Sequence, residues 1–212
     1  MKNPNKTRKI ATNSPAPDAI REAAEIIKKG GVVLIPTRCL YGLAADAFNA
    51  AAVQKIFELK NRPADNPILV LIKTKDELSR VALDVPAYAT RIMDRFWPGK
   101  VTLIFQARDN LPVALTAGSG KIGVRLPGHP IANAVVQAAP NPITATSANL
   151  SGKAGCSHVA NLEPEIAEKV DLIIDAGPLI GGVGSTVVDV TESSPRILRE
   201  GEVSARDILT VY

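Results

Sequence analysis

The sequence has few of the residues that build metal sites and disulfides. Its 212 residues include two cysteines, Cys39 and Cys156, and two histidines, His129 and His158, with no CxxC or HxxxH spacing. These four side chains could in principle bind one metal ion, but structural zinc sites draw their ligands from closely spaced pairs. We therefore interpret both cysteines as free thiols in a reducing compartment.

The sequence also lacks long apolar runs, and none approaches the roughly eighteen residues of a membrane-spanning helix. Aromatic residues are scarce at 4%, but 46% of the residues are hydrophobic and 22% are charged, which is typical of a globular protein. A chain of this length can bury a substantial core, so we predict a single α/β domain over residues 16–212.

Acidic residues are absent before Asp18, whereas four lysines and arginines precede it. These four cations account for the whole net charge of +4, so the rest of the chain is neutral overall. Phosphate or nucleic-acid binding by the domain therefore requires a local cluster of cations. Because the first residues are polar and broken by proline, we predict a disordered basic arm over residues 1–15, no signal peptide and a cytoplasmic location.

Several catalytic arrangements are missing. No Ser-His-Asp or Cys-His pairing emerges and no pair of acids falls in the candidate turns, which disfavours hydrolysis. The GSGK at 118–121 is not a P-loop, because Leu115 stands where Walker A requires glycine and Ile122 where it requires a hydroxyl. The glycines of 181–184 could cradle a phosphate, but such segments are common as plain turns.

The segment 30–72 predicts a strand, a tight turn, a helix, a basic turn and a second strand. The apolar run Val32–Ile35 stops at a proline, which lacks the N–H that a strand ladder needs. A helical pattern follows, and at its end we expect Lys60, Arg62 and Asn66 to lie in a solvated turn that Pro63 and Pro67 make rigid. Two turns suited to a ligand therefore belong to one supersecondary unit.

Hydrophobic periodicity predicts the remaining elements. Apolar runs indicate buried strands, and apolar residues three or four apart indicate helices. A loop is predicted over 109–120. The predicted helices are 18–29, 77–82, 86–96, 130–139 and 164–170, and the predicted strands are 68–72, 101–105, 122–126, 143–146, 172–175, 187–190 and 197–199.

Polar residues at these elements suggest a ligand site. Arg125 falls on the face of its strand opposite the apolar residues. Ser147 and Asn149 follow the end of a strand, where ligands bind in open α/β sheets. Transfer at phosphorus fits the lack of acid–base pairs, because positioning and electrostatics supply most of its catalysis. Cations interleaved with Gly, Ser and Asn suit a polyphosphate, and these cations are Lys60, Arg62, Lys121, Arg125 and Arg199.

Six motifs occur in order along the chain: IPTRCLYGLAADAF, LKNRPADNPI, WPGKVTLIF, IGVRLPGHPIA, SANLSG, and GSTVVDVT followed by ILREG. Together they resemble the YrdC-like family of L-threonylcarbamoyladenylate synthases over residues 16–201. The family's K-x-R and S-x-N signatures match Lys60-Asn61-Arg62 and Ser147-Ala148-Asn149.

The resemblance implies a YrdC-like α/β fold, with a twisted mixed sheet of parallel and antiparallel strands flanked by helices. It also implies a nucleotidyltransferase that forms threonylcarbamoyl-AMP and pyrophosphate from L-threonine, bicarbonate and ATP, for the t6A modification of adenosine 37 in tRNA. Mg²⁺ is expected with the triphosphate. Expected partners are tRNA or double-stranded RNA and downstream tRNA-modification proteins, with no membrane association.

The resemblance assigns roles by motif position and implies no protein-bound metal. The implied catalytic residues are Lys60, Arg62, Ser147 and Asn149. The implied ATP contacts are Arg62, Asn66, Lys121, Ser147 and Arg199. The implied L-threonine contacts are Cys39, Arg125, Ala145 and Ser185.

The chain departs from the family pattern mainly on the threonine side. The usual PTETVYGL is here PTRCLYGL, so Cys39 replaces a threonine whose hydroxyl would face the amino acid, and Leu71 stands where a histidine is often found. A thiol is a weaker hydrogen-bond partner and leucine is none, so we expect these departures to act on amino-acid selectivity. Larger relatives carry an additional C-terminal domain, and we expect this chain to be the single-domain form.

Two alternatives stay open at this point. The first is a non-catalytic paralogue that binds double-stranded RNA or tRNA, which the cationic arm and the implied basic surface favour. The second is an adenylating enzyme for a different amine substrate, which Cys39 and Leu71 favour.

Overall fold

The computed structural model describes residues 7–212. The strands of this range are β1 (Arg8–Ala11), β2 (Val33–Pro36), β3 (Tyr41–Ala44), β4 (Leu69–Leu71), β5 (Val101–Gln106), β6 (Lys121–Arg125), β7 (Ile143–Ser147), β8 (Leu172–Asp175), β9 (Thr186–Asp189) and β10 (Arg196–Arg199). The α-helices are α1 (Pro17–Lys28), α2 (Ala50–Lys60), α3 (Ala87–Phe96), α4 (Val113–Thr116), α5 (Pro130–Ala138), α6 (Pro164–Ala167) and α7 (Ala205–Leu209). Short 3₁₀-helices lie at Lys75–Arg80 and Val159–Asn161.

The strands form one sheet in the order β1-β8-β2-β3-β7-β4-β6-β5-β9-β10. Strand β8 is parallel to β1 and β2, β4 is parallel to β6, and β5 is parallel to β9. The pairs β2–β3, β3–β7, β4–β7, β5–β6 and β9–β10 are antiparallel. The predicted mixed sheet is therefore confirmed.

Helices cover both faces of the sheet, because successive strand residues contribute to different apolar clusters. Val33 and Ile35 of β2 belong to the cluster that includes residues of α1 and α5. Leu34 belongs to the other cluster, with residues of α2 and α3. The apolar runs without alternation predicted this double coverage.

The predicted disordered arm is wrong over residues 8–11, which form β1. Ile10 is paired with Ile174 of β8, and Lys9 forms an ion pair with Asp175 at 2.7 Å. The backbone partner of β1 comes from a strand far along the chain, so the local polarity could not reveal the pairing. Residues 1–6 lie outside the described residues.

Strand β3 was not predicted, because its residues directly follow the tight turn. The N–H of Thr37 donates to the carbonyl of Leu40 at 3.0 Å, so the chain reverses at once after Pro36 and Tyr41 pairs with it. Strand β2 thus includes the proline at which the apolar run was predicted to stop. The predicted loop 109–120 contains the single-turn helix α4.

Cys39 and Cys156 are both free and buried, in agreement with the prediction of free thiols. Within residues 7–212, no three His, Cys, Asp or Glu side chains form a group that could bind a metal. The longest helix within residues 7–212, α1, has 12 residues and is too short to span a bilayer.

Candidate active site

A cavity of about 540 Å³ lies against one face of the sheet, within the usual size range of small-molecule sites. Strands β4, β5, β6, β7 and β9 contribute to its wall, together with the β2–β3 turn and the segment after α2. The side chains of Arg38, Arg62, Arg125 and Arg199 line it, and Glu202 is the one carboxylate among its described lining residues. Such a cavity favours ligands with more than one anionic group.

Arg125 lies on β6, on the cavity face that the alternation of this strand predicted. Its side chain is half-buried, and its Nε atom is fully buried without a hydrogen-bond partner. Burial lowers the pKa of the guanidinium to about 10, and the nearby Glu202 carboxylate opposes this shift. Arg125 is therefore charged at neutral pH, and its Nε keeps a hydrogen bond to offer that no described residue accepts.

Ser185 precedes β9 and is 2% exposed. Its hydroxyl lies 2.9 Å from the hydroxyl of Thr102, and its carbonyl accepts a hydrogen bond from Arg199 Nη2 at 2.8 Å. A Cβ atom on Gly201 would lie 2.5 Å from the carbonyl oxygen of Gly184, so only glycine allows this close approach. The glycine of the ILREG motif thus packs the chain after β10 against Ser185.

The segment after α2 presents Arg62 and Asn66 to the cavity. Helix α2 ends where Asn61 adopts a left-handed conformation, with φ of 46°. Arg62 then donates to the carbonyls of Asn66 at 2.9 Å and Pro67 at 2.8 Å, and to the side-chain oxygen of Asn66 at 3.0 Å. Burial lowers the pKa of Arg62. The hydrogen bonds of Arg62 therefore stabilise the predicted turn.

Lys60 does not lie in a solvated turn with Arg62. It is the last residue of α2, is 1% exposed and does not line the cavity. Its ammonium donates to the carbonyls of Ser147 and Asn149, the latter at 2.6 Å. Burial, with the charge of Arg62 as a second cause, lowers the pKa of Lys60 to about 8. Lys60 therefore stabilises the Ser147–Asn149 segment through its backbone carbonyls.

The serine and the asparagine of the S-x-N motif lie in different surroundings. Ser147 lines the cavity at the end of β7, whereas Asn149 is 6% exposed and is not among the lining residues. The Asn149 amide donates to the carbonyls of Leu150 and Lys153, both at 2.8 Å. Asn149 therefore shapes the loop that follows Ser147.

Lys121 and Leu71 also lie outside the lining. Lys121 is two residues from Gly123 on the same face of β6, and its ammonium pairs with Asp189 at 2.8 Å. Leu71 is 1% exposed in the core beside Arg125. Of the residues predicted to contact ATP or threonine, the cavity brings together Cys39, Arg62, Asn66, Arg125, Ala145, Ser147, Ser185 and Arg199.

The lining residues that were not predicted include Arg38, Thr102 and Glu202. Arg38 forms an ion pair with Glu202, and the Cys39 thiol donates to the same carboxylate at 3.5 Å. Burial raises the pKa of Cys39, and the Glu202 charge adds to this effect. One signal in the sequence could have pointed to Arg38, because the first motif usually has a glutamate at this position. No local pattern marks Glu202.

We expect the unfolding free energy of the wild type, relative to Lys60→Met, to rise with pH between about 8 and 10.5. In this window the unfolded state still binds the lysine proton that the folded state has released, so raising the pH stabilises the fold. The rise should reach at most about 3 kcal/mol. Denaturant unfolding of both proteins across the window measures it. A flat difference would mean that the Ser147 and Asn149 carbonyls retain the ammonium form.

Comparison with known proteins agrees with the fold and the motifs. The family model Sua5_yciO_yrdC, described as "Telomere recombination", matches residues 25–201. The threonylcarbamoyl-AMP synthase of Pyrococcus abyssi is 39% identical over 189 residues, which cover 89% of this chain and 56% of that protein. The Bacillus subtilis protein of the same name is 38% identical over 206 residues, which cover 97% of this chain and 59% of that protein.

This chain therefore spans less than two thirds of the length of these two relatives. The structure titled P. abyssi Sua5 complexed with L-threonine is similar with a TM-score of 0.88 at 37% identity, covering 97% of this chain and 60% of that one. The resemblance inferred from the six motifs is confirmed. Because the family match extends over most of the chain, the chain belongs to the Sua5/YciO/YrdC family.

Proposed function

We propose that this protein is a threonylcarbamoyl-AMP synthase, which converts L-threonine, bicarbonate and ATP into threonylcarbamoyl-AMP and pyrophosphate. The observation that carries the proposal is the cavity, which combines four guanidinium groups with hydroxyls and leaves Arg125 Nε without a partner. ATP and an amino acid carboxylate supply the anionic groups that such a site lacks. The names of the two relatives and the threonine bound by P. abyssi Sua5 support this choice.

In this proposal Arg62, Asn66, Ser147 and Arg199 bind ATP. The threonine amine first combines with bicarbonate to give a carbamate, and one water is lost. A carbamate oxygen then attacks the α-phosphorus, so that a new O–P bond forms and the bond to pyrophosphate breaks. Guanidinium groups held in place before the reaction stabilise the charge that develops on the phosphoryl oxygens. Lys60 and Asn149 act indirectly, because they hold the segment that presents Ser147. Lys121 would reach the nucleotide from the cavity edge.

The amino acid would occupy the part of the cavity near Arg125 and Ser185, with Cys39 and Ala145 in the adjoining wall. The Arg125 guanidinium is the natural partner of the threonine carboxylate, since a planar fork matches a carboxylate. Ser185 already shares a hydrogen bond with Thr102, so it would offer its remaining capacity to the substrate.

Mg²⁺ would enter with the triphosphate and not through a protein cage. Glu202 is the one carboxylate among the described lining residues, and no three His, Cys, Asp or Glu side chains of residues 7–212 form a group that could bind a metal. Mg²⁺ commonly keeps several waters and binds nucleotides through phosphate oxygens, and it would neutralise phosphate charge here.

The product would serve the t6A37 modification of tRNA, together with downstream proteins. The cytoplasmic location stays a prediction from the sequence.

Purified protein should release pyrophosphate only when ATP, L-threonine and bicarbonate are all present. Each compound supplies atoms of the adenylated product, so omission of any one should reduce release to background. A coupled pyrophosphate assay measures the rate, and mass spectrometry identifies threonylcarbamoyl-AMP. Release that is unchanged without threonine would contradict the proposal.

The RNA-binding alternative loses part of its basis. Two of the four cations that precede Asp18 are paired with acids within the domain, Arg8 with Glu22 and Lys9 with Asp175, each at 2.7 Å. A paired cation contributes less to the binding of a phosphate backbone, because its charge is already neutralised. The alternative of a different amine substrate depends on the part of the cavity wall that Cys39 and Glu202 form together.

A further inference from the structure

Glu202 is unusual in its surroundings, because it is the one acidic side chain among the described residues that line the cavity and four guanidinium groups surround the same space. We propose that Glu202 binds the amino group of the amino-acid substrate, opposite the carboxylate held by Arg125. This inference rests on the proposed function and adds a residue that selects the amine half of the substrate.

The carboxylate of Glu202 is held in place by two side chains of the β2–β3 turn. Arg38 Nε pairs with one oxygen, and the Cys39 thiol donates to the other at 3.5 Å. These partners leave acceptor capacity on both oxygens, since an ionised carboxylate accepts about four hydrogen bonds. Glu202 can therefore accept hydrogen bonds from a ligand without leaving Arg38.

The backbone around Glu202 is also fixed. Its N–H donates to the carbonyl of Gly184 at 3.0 Å. The N–H groups of Gly201 and Val203 donate to the hydroxyl of Thr186 at 3.0 and 3.1 Å. Because both flanking residues are bonded to the start of β9, the carboxylate position is set by the sheet and not by a free loop.

The charges of the cavity explain what Glu202 would do. A free amino acid carries a carboxylate and an ammonium group within a few bonds of each other. Among four guanidinium groups the ammonium would be repelled unless an anion lies close to it. Arg125 and Glu202 provide one charge of each sign in the same cavity, which fits the two charges of a zwitterion.

The same electrostatics predict the step on which Glu202 acts. Once the amine has become a carbamate it is an anion, and Glu202 no longer attracts it. We therefore expect Glu202 to affect the binding of the free amino acid more than the later transfer to phosphorus. A loss in amino-acid affinity, with nucleotide affinity retained, is the signature of this role.

The test compares two ligands, L-threonine and 3-hydroxybutanoate, which keeps the carboxylate and the hydroxyl but lacks the amino group. Their affinities are measured by calorimetry for the wild type, Glu202→Gln and Glu200→Gln. Glu200 is exposed, lies two residues away and does not line the cavity, so it is the matched control. ATP affinity of each variant reports whether the site is still folded.

We expect Glu202→Gln to weaken threonine binding by about 10- to 100-fold, because it removes a charged hydrogen bond. Its affinity for 3-hydroxybutanoate should stay the same or increase, and Glu200→Gln should match the wild type with both ligands. Equal losses for both ligands, or no loss for threonine, would overturn the proposal while pyrophosphate release could still support the proposed function. A wild type that neither binds threonine nor releases pyrophosphate would overturn both.

Discussion

Arg125→Gln is expected to lower threonine-dependent pyrophosphate release by about 100-fold or more in kcat/KM. The side chain of Arg125 lines the cavity, and its Nε has no hydrogen-bond partner within residues 7–212, so the guanidinium has unused hydrogen-bonding capacity for a carboxylate. Glutamine cannot form the two parallel charged hydrogen bonds that arginine forms with a carboxylate. The loss should appear mainly as a raised KM for threonine.

The same substitution should leave the protein as stable as the wild type or more stable, by about 1–3 kcal/mol. Burial lowers the pKa of Arg125 to about 10, which means that the fold keeps this charge at a cost. Function and stability should thus change in opposite directions, as is common where an active site holds an unsatisfied group.

Arg95→Gln is a suitable control, because Arg95 is exposed on α3 and does not line the cavity. It should change neither pyrophosphate release nor the denaturant midpoint by a measurable amount. If Arg125→Gln instead destabilises the fold while threonine affinity persists, Arg125 is structural, and another group must bind the carboxylate.

Lys60→Ala is expected to reduce both stability and activity. Lys60 is 1% exposed and is among the largest fully buried side chains of the described chain. Truncation leaves a cavity and removes the donor for the carbonyls of Ser147 and Asn149, at a cost of about 2–5 kcal/mol. The Ser147 segment should then move, so turnover should fall even in molecules that remain folded.

Two variants separate the causes of that loss. Lys60→Met retains most of the volume, so its remaining cost reports the two carbonyls without a donor. Lys29→Ala removes an exposed lysine after α1 and should be close to neutral. Chemical unfolding gives the stabilities, and the pyrophosphate assay at low temperature gives the activity. A stable but inactive Lys60→Ala protein would indicate direct contact with the substrate.

The strands and helices of the domain were largely predictable, because their apolar patterns reflect burial directly. The run Val32–Ile35 and the stripe of α1 each predict an element that the structure contains. Arg125 was also predictable, since alternation along β6 places it opposite the core. The family resemblance added the residues that are expected to contact ATP, and of these Arg62 lines the cavity.

Other features depended on partners distant in sequence. Strand β1 exists because β8 offers a free edge, and the polar sequence of residues 8–11 carries no trace of that edge. Lys60 and Arg62 are two residues apart and were predicted to share one solvated turn. The helix end at Asn61 directs them apart, so Lys60 is buried behind the Ser147 segment and Arg62 lines the cavity.

The α/β class, the free cysteines and the cationic residues of the candidate site could all be inferred from the sequence. Residue type and periodicity carry that information, because burial and charge are properties of each position. Which of these cations line the cavity depends on the folded sheet, which also brings Glu202 against Arg38 and Cys39. That contact joins the β2–β3 turn to the chain beyond β10, and such pairings arise from the folded sheet and not from neighbouring residues.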